Sequence, residues 1–142
     1  GNGGVILPKL HYGSDALVGI AIFLTHLAKS GKSITALRKS YPSYFISKNK
    51  IELTPKINVD KVLADVKEKY KTQPINESDG VKIEFDKEWV HLRKSNTEPI
   101  IRIYSESDSS DKATKLSQKI IEDIQIIIKS EYVLMINSAT AL

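Results

Sequence analysis

Residues 93–102 read Arg93-Lys94-Ser95-Asn96-Thr97-Glu98-Pro99-Ile100-Ile101-Arg102. The stretch places two arginines, a lysine, two hydroxyls and an amide between two apolar, strand-like runs. Arginine offers a planar fork of N–H donors that matches phosphate oxygens, and hydroxyl, amide and backbone N–H groups can complete the cradle. Each charge-assisted hydrogen bond of this kind is worth roughly 1.5–3 kcal/mol, so three or four would hold a phosphorylated small molecule. The stretch therefore predicts an anion-binding turn.

Strand patterns lie on both sides of this turn. Residues 81–85 and 89–93 alternate between apolar and polar side chains, and residues 100–106 do so again. Such alternation is typical of strands with one buried and one exposed face. Because the turn reverses the chain, we expect Arg93 and Arg102 to converge at one end of a sheet.

Helical and strand patterns complete this part of the chain. Residues 59–70 and 113–127 carry apolar side chains at intervals of three and four, and Asn58 is a suitable N-cap for the first of these helices. Residues 45–53 predict another strand, and residues 72–80 predict a loop. The sequence therefore predicts an α+β fold, in which a four-stranded, mostly antiparallel sheet carries two helices on one face.

The first 44 residues form a separate segment by pattern. A glycine-rich turn opens it, and a helix is predicted over residues 16–28, capped by Ser14 or Asp15 and ended by Gly31. Ser33 caps a second, shorter helix. The first helix is apolar nearly all round and should be buried, but a chain of 142 residues offers little to bury it in. With no initiator Met, the chain is expected to be an excised fragment with a partner domain elsewhere.

Composition narrows the function classes. The 41% hydrophobic and 27% charged content is that of a globular protein, and the absence of cysteine excludes disulfides and thiol chemistry. No apolar run approaches the roughly 20 residues of a membrane span. The net charge of +4 arises from dispersed Lys and Arg among 17 acidic residues, so neither nucleic acid nor a membrane is an expected partner.

No catalytic group or metal site is evident. His11 and His26 are the histidines outside the strands, and a structural role is favoured for both. In the anion-binding turn, Ser95 and Thr97 could also close a hydroxyl-capped turn. Asn96 could occupy a position with positive φ, and Glu98 could brace the turn against a backbone amide or Lys94.

The pattern Arg-x-Ser-x-Thr-Glu-Pro, followed by a second arginine, resembles the phosphate-binding loop of the alpha-D-phosphohexomutases. That family includes the phosphoglucomutases, phosphomannomutases and phosphoglucosamine mutases. The resemblance implies that the non-transferred phosphate of a hexose phosphate is bound by Arg93, Ser95, Asn96, Thr97 and Arg102. It also implies that residues 45–142 form the last domain, with a fold like that of the TATA-binding protein. Residues 1–44 would then be the tail of the preceding α/β domain.

The same resemblance implies an activity in carbohydrate metabolism. These enzymes are isomerases that interconvert hexose 1-phosphates and hexose 6-phosphates through a phosphoserine and a magnesium-binding loop, both in earlier domains. The chain alone would bind no metal and be inactive, and the whole enzyme would be cytoplasmic. Asn2 and Gly3 would belong to a sugar-contacting loop, with a plain glycine-rich turn as the alternative.

A second functional hypothesis comes from another class of protein. A basic sheet with helices on one face could be a stand-alone module that binds phosphorylated ligands or nucleic acid on its open face. Steeply salt-dependent binding to duplex DNA would distinguish such a module from a mutase domain.

Overall fold

The computed structural model describes residues 4–54 and 57–139. The chain divides into two compact units, Gly1–Pro42 and Ser43–Leu142. The predicted sugar-contacting residues Asn2 and Gly3 lie outside the described residues. No helix in the described ranges has the length and apolar character needed to cross a bilayer.

The first unit contains two helices, α1 (Ala16–Ser30) and α2 (Ile34–Lys39). The Asp15 carboxylate caps α1 by accepting the Val18 amide at 3.0 Å, and Gly31 ends the helix with φ of 62°. The sequence predicted that α1 needs burial and that this chain offers little to bury it in. In the structure, α1 has no buried residue, and its Leu17 side chain is 79% exposed.

The second unit is a five-stranded antiparallel sheet with two helices. Its elements, in chain order, are β1 (Phe45–Glu52), α3 (Val59–Lys69), β2 (Ile75–Asn76), β3 (Val81–Phe85), β4 (Glu88–Lys94), β5 (Ile100–Ser107) and α4 (Ser110–Ala139). The strands lie in the order β1-β5-β4-β3-β2. The predicted α+β fold is confirmed, with one strand more than the sequence indicated.

The additional strand is β2, inside the segment that the sequence predicted to be a loop. Ile75 pairs with Ile83 and Asn76 with Lys82, and the Glu84 amide donates to the Pro74 carbonyl at 3.0 Å. Two residues are too few to show the alternation that identifies a strand. Only the pairing with β3 makes this segment part of the sheet.

The core of the second unit lies between the helices and one face of the sheet. The inward-facing residues of β3, β4 and β5 alternate along each strand, and they meet the apolar stripes of α3 and α4. The fully buried side chains at its centre are Val62, Val66, Ile83, Val90, Leu92, Ile101, Ile103, Ile120 and Ile124. The opposite face of the sheet, which we call the open face, carries polar and charged side chains, and it is where the candidate site lies.

Candidate functional site

The two arginines of the turn are direct partners across neighbouring strands. Arg93 lies near the end of β4 and Arg102 near the start of β5, and the register pairs one with the other. Paired residues have Cβ atoms about 4.5–5.5 Å apart and point to the same face. The structure thus brings together, on the open face, the two side chains that the sequence expected to converge.

A third cation extends this pair onto the edge strand. Lys50 of β1 pairs with Arg102, so Lys50, Arg102 and Arg93 stand side by side across three strands. We call these three side chains the cationic row. Like charges placed opposite one another on a sheet are destabilising, whereas an anion lying over them would offset the repulsion. The row therefore favours an anionic ligand.

At each end of the cationic row, the cation forms an ion pair with a carboxylate. Arg93 Nη1 lies 3.2 Å from Asp79 Oδ2, and Lys50 Nζ donates to Glu52 Oε1 at 2.8 Å. The hydrogen bond to Glu52, together with the charge of that carboxylate, raises the pKa of Lys50. No ion pair to Arg102 is present among the described residues. The centre of the row is therefore the position where an incoming anion would meet an uncompensated guanidinium group.

The turn between β4 and β5 adds neutral donors beside the cationic row. The Ser95 amide donates to the Ile100 carbonyl at 3.1 Å, which closes the end of the hairpin. The Thr97 amide donates to Ser95 Oγ at 3.4 Å, so the predicted hydroxyl-capped turn is present, with a long hydrogen bond. Within the described residues, the backbone amides of Asn96 and Glu98 have no protein acceptor. Both residues are exposed.

A shallow groove runs along the open face beside this turn. Its volume is about 350 Å³, and Lys50, Glu98, Arg102 and Tyr104 are among its lining residues. Lys48 lies over the Tyr104 ring, with Nζ 5.8 Å from the ring centroid. The groove therefore extends from Lys50 and Arg102 of the cationic row along β1 and β5, and its volume suits a small phosphorylated molecule.

Two details of the turn differ from the sequence prediction. Asn96 does not have a positive φ, since Lys87 is the non-glycine residue with positive φ in the described part of the chain. Lys94 lies on the face of the sheet that the helices cover, and its Nζ pairs with Asp60 at 2.8 Å rather than with Glu98. Because β4 continues through Lys94, its side chain lies on the face opposite to that of Arg93. The Glu98 carbonyl accepts the Ile100 amide at 2.8 Å.

The two histidines of the first unit contact residues of that unit, and His26 Nε2 lies 2.8 Å from the Tyr41 hydroxyl. The Gly13 amide donates to His11 Nδ1 at 3.0 Å, which leaves Nε2 of a neutral ring to donate to Asp15 at 3.1 Å. The sequence prediction had recognised no acidic partner for His11. This contact lowers the pKa of Asp15, after the larger effect of the hydrogen bond from the Val18 amide. Because Asp15 caps α1, the contact of His11 is structural.

Sequence reasoning missed Lys50 and Asp79. Lys50 is separated from the turn by more than forty residues, and only the β1–β5 register places it beside Arg102. Asp79 belongs to an Asp-Gly turn whose signal was interpreted as a loop alone. Among the described residues, no group of three His, Cys, Asp or Glu side chains is arranged to hold a metal ion.

Comparison with known proteins links this geometry to one family. Residues 50–123 match the model of the phosphoglucomutase/phosphomannomutase C-terminal domain. This segment contains all three members of the cationic row, the turn, and the strands β2–β5.

Curated relatives carry names from the same family. A phosphoglucomutase/phosphomannomutase of Thermococcus kodakarensis is 42% identical over 86% of this chain and 27% of its own length. A phosphoglucosamine/phosphogalactosamine mutase of Sulfurisphaera tokodaii is 35% identical over 85% of the chain and 28% of its own length. A phosphomannomutase of Methanocaldococcus jannaschii is 27% identical over 84% of the chain and 25% of its own length.

The chain thus spans about a quarter of the length of these relatives. The family match covers more than half of the chain and includes the cationic row and its turn. The chain belongs to the phosphoglucomutase/phosphomannomutase family and carries the C-terminal domain of that family.

Proposed function

We propose that this chain binds the phosphate of a phosphorylated hexose in the C-terminal domain of a longer phosphohexomutase. The observation that carries the proposal is the cationic row, with Arg93 and Arg102 as direct cross-strand partners. In this proposal the two guanidinium groups bind phosphate oxygens, while Ser95, Thr97 and the turn amides donate further hydrogen bonds. Asn96, which is exposed in the turn, supplies an amide group at the rim.

The proposed reaction is the interconversion of hexose 1-phosphate and hexose 6-phosphate. Such a reaction needs a static site for the phosphate that is not transferred, because that site fixes the sugar while its other end reacts. A preformed row on a rigid sheet meets this need better than a mobile loop would. The domains that precede this chain in the full enzyme would supply the phosphoryl group, so we propose that the chain alone does not catalyse the reaction.

A magnesium ion is part of this proposal for the full enzyme. Its ligands would lie in the preceding domains, as the family resemblance implies. No step assigned to this chain passes through a metal ion.

The open face argues against the alternative of a nucleic-acid module. Glu52, Glu84 and Glu106 lie on this face together with the cations, and Glu84 accepts from Lys82 at 2.6 Å. A surface of mixed sign suits a small ligand better than a long polyanion. Tight, steeply salt-dependent binding to duplex DNA, unaffected by hexose phosphate, would reverse this preference.

The test of the proposed function is the Arg102→Ala substitution, with Arg38→Ala as the matched control in the first unit. We expect Arg102→Ala to weaken binding of glucose 6-phosphate to the chain by about 10- to 100-fold, because one or two charge-assisted hydrogen bonds are lost. Arg38→Ala should leave the affinity unchanged. Calorimetric titration of both variants measures their affinity for glucose 6-phosphate. Mutase turnover of the longer enzyme with the same substitutions measures the effect on the reaction. Unaltered affinity and turnover in Arg102→Ala would contradict the proposal.

A further inference from the structure

The turn that holds Asp79 is fixed against β4 by its backbone. Gly80 has φ of 82°, and a Cβ at this position would lie 2.3 Å from the Leu92 carbonyl oxygen. The His91 ring contacts the Asp79 carbonyl, and Asn76 Oδ1 accepts the Ser78 amide at 2.9 Å. These contacts do not involve the Asp79 carboxylate. The backbone that carries the Asp79 carboxylate is therefore fixed by contacts that need no cation.

The Asp79 carboxylate lies at the outer end of the cationic row. Its Oδ2 is 3.2 Å from Arg93 Nη1, and the two side chains are 61% and 53% exposed. A guanidinium group has five N–H donors in a planar fork, and a contact at Nη1 leaves the others for a second anion. Arg93 can thus keep its contact with Asp79 while it binds a phosphate.

We infer that Asp79 is a positioning residue that holds the Arg93 guanidinium over the sheet in the orientation needed to bind a phosphate group. This inference rests on the proposed function and adds a residue to it. A long arginine side chain loses rotamer freedom when it binds a ligand, and a partner that restricts it beforehand reduces that loss. The negative charge of Asp79 opposes the phosphate, but the pair is more than half exposed, so solvent and salt screen that repulsion. The inference requires that the gain from orienting Arg93 exceeds this screened repulsion, and the affinity of the Asp79 variants measures the balance.

The experiment is a titration of the chain with inorganic phosphate, followed through the arginine Nε–H signals in NMR spectra. We expect Asp79→Ala to weaken phosphate binding about three- to tenfold and to broaden the Arg93 signal before ligand is added. Asp79→Asn keeps an oxygen acceptor and should recover part of both effects. Asp86→Ala removes the same charge from the turn between β3 and β4 and should change neither.

A double-mutant comparison separates positioning from a general structural effect. In an Arg93→Ala background, Asp79→Ala should cause no further loss of affinity, because the side chain it orients is gone. Additive losses, or tighter phosphate binding in Asp79→Ala and Asp79→Asn, would overturn the inference while leaving the proposed function intact. If Arg93→Ala and Arg102→Ala both bind phosphate as the unaltered chain does, the proposed function itself fails, and the inference fails with it.

Discussion

Arg93, Arg102 and Lys50 differ in how far the sequence alone could place them. The arginines bracket a short turn, so their convergence on neighbouring strands followed from local pattern and is seen in the register. Lys50 and Asp79 lie beside the two arginines because distant segments of the chain pair with each other. Local periodicity contains no information about that pairing. The convergence of the two arginines could therefore be predicted, but the positions of Lys50 and Asp79 could not. The phosphate-binding role of the arginines stays a prediction.

Asp123 is a buried charged residue whose burial the sequence pattern does not reveal. Asp123 is 9% exposed, and it accepts hydrogen bonds from Lys69 at 2.6 Å and from Tyr70 at 2.5 Å. Burial acts to raise the pKa of Asp123, but the bonds from Lys69 and Tyr70 outweigh it and leave the pKa below its ordinary value of 3.8. The charged form of Asp123 is thus the form that stabilises the fold.

We predict that Asp123→Asn lowers the free energy of unfolding by about 1–3 kcal/mol at pH 7. The stabilisation by Asp123 is present above the pKa of the unfolded state and is lost as the pH falls through the lower native value. The difference between the chain and Asp123→Asn should therefore shrink as the pH falls below about 4. Urea unfolding of both proteins at neutral and acidic pH measures this difference. A difference that grows in acid would contradict the assignment.

Among the secondary-structure elements, α3 and α4 were the most predictable and β2 the least. The apolar periodicity of residues 59–70 and the N-cap Asn58 both reappear in α3, which begins at Val59. Residues 131–142 show no pattern that assigns them to a helix or a strand, yet α4 continues to Ala139. Its first part packs on the sheet. Glu131, where the unassigned stretch begins, accepts a hydrogen bond from Lys61 Nζ, a residue seventy positions earlier in the chain.

The N-cap of α3 provides a prediction for a single element. Asn58 Oδ1 accepts the amides of Asp60 at 3.0 Å and Lys61 at 3.2 Å. Asn58→Ala removes that acceptor and should destabilise the second unit by about 1 kcal/mol, whereas Asn58→Asp keeps an oxygen acceptor and should cost little. Thermal unfolding monitored by circular dichroism compares the two variants. Equal stability of Asn58→Ala and the unaltered chain would show that the cap is dispensable.

For the whole molecule, the sequence predicted the layer arrangement and a shortage of partners for α1. Helices on one face of an antiparallel sheet followed from the order of the patterns. The apolar side chains of α1 are exposed because they have few partners within the first unit. Apolar composition predicts that a helix needs a partner, but it does not say whether the chain supplies one.

This difference predicts unequal protection of the two units against hydrogen exchange. The apolar core cluster belongs entirely to the second unit, while Leu37 is the buried apolar residue of the first unit within the described ranges. Amides of β4, β5 and α4 should exchange slowest, and those of α1 should exchange faster through local opening. Exchange followed by NMR at single residues tests this. Protection of α1 equal to that of β5 would contradict the assignment of the core.

A crystal structure of the chain with a bound hexose 6-phosphate tests most directly whether Arg93 and Arg102 form one anion-binding site. We predict that the phosphoryl group lies over the cationic row, with oxygens within hydrogen-bond distance of both guanidinium groups and of the turn. Guanidinium groups turned away from each other into separate regions of solvent, with the phosphoryl group bound elsewhere, would contradict it.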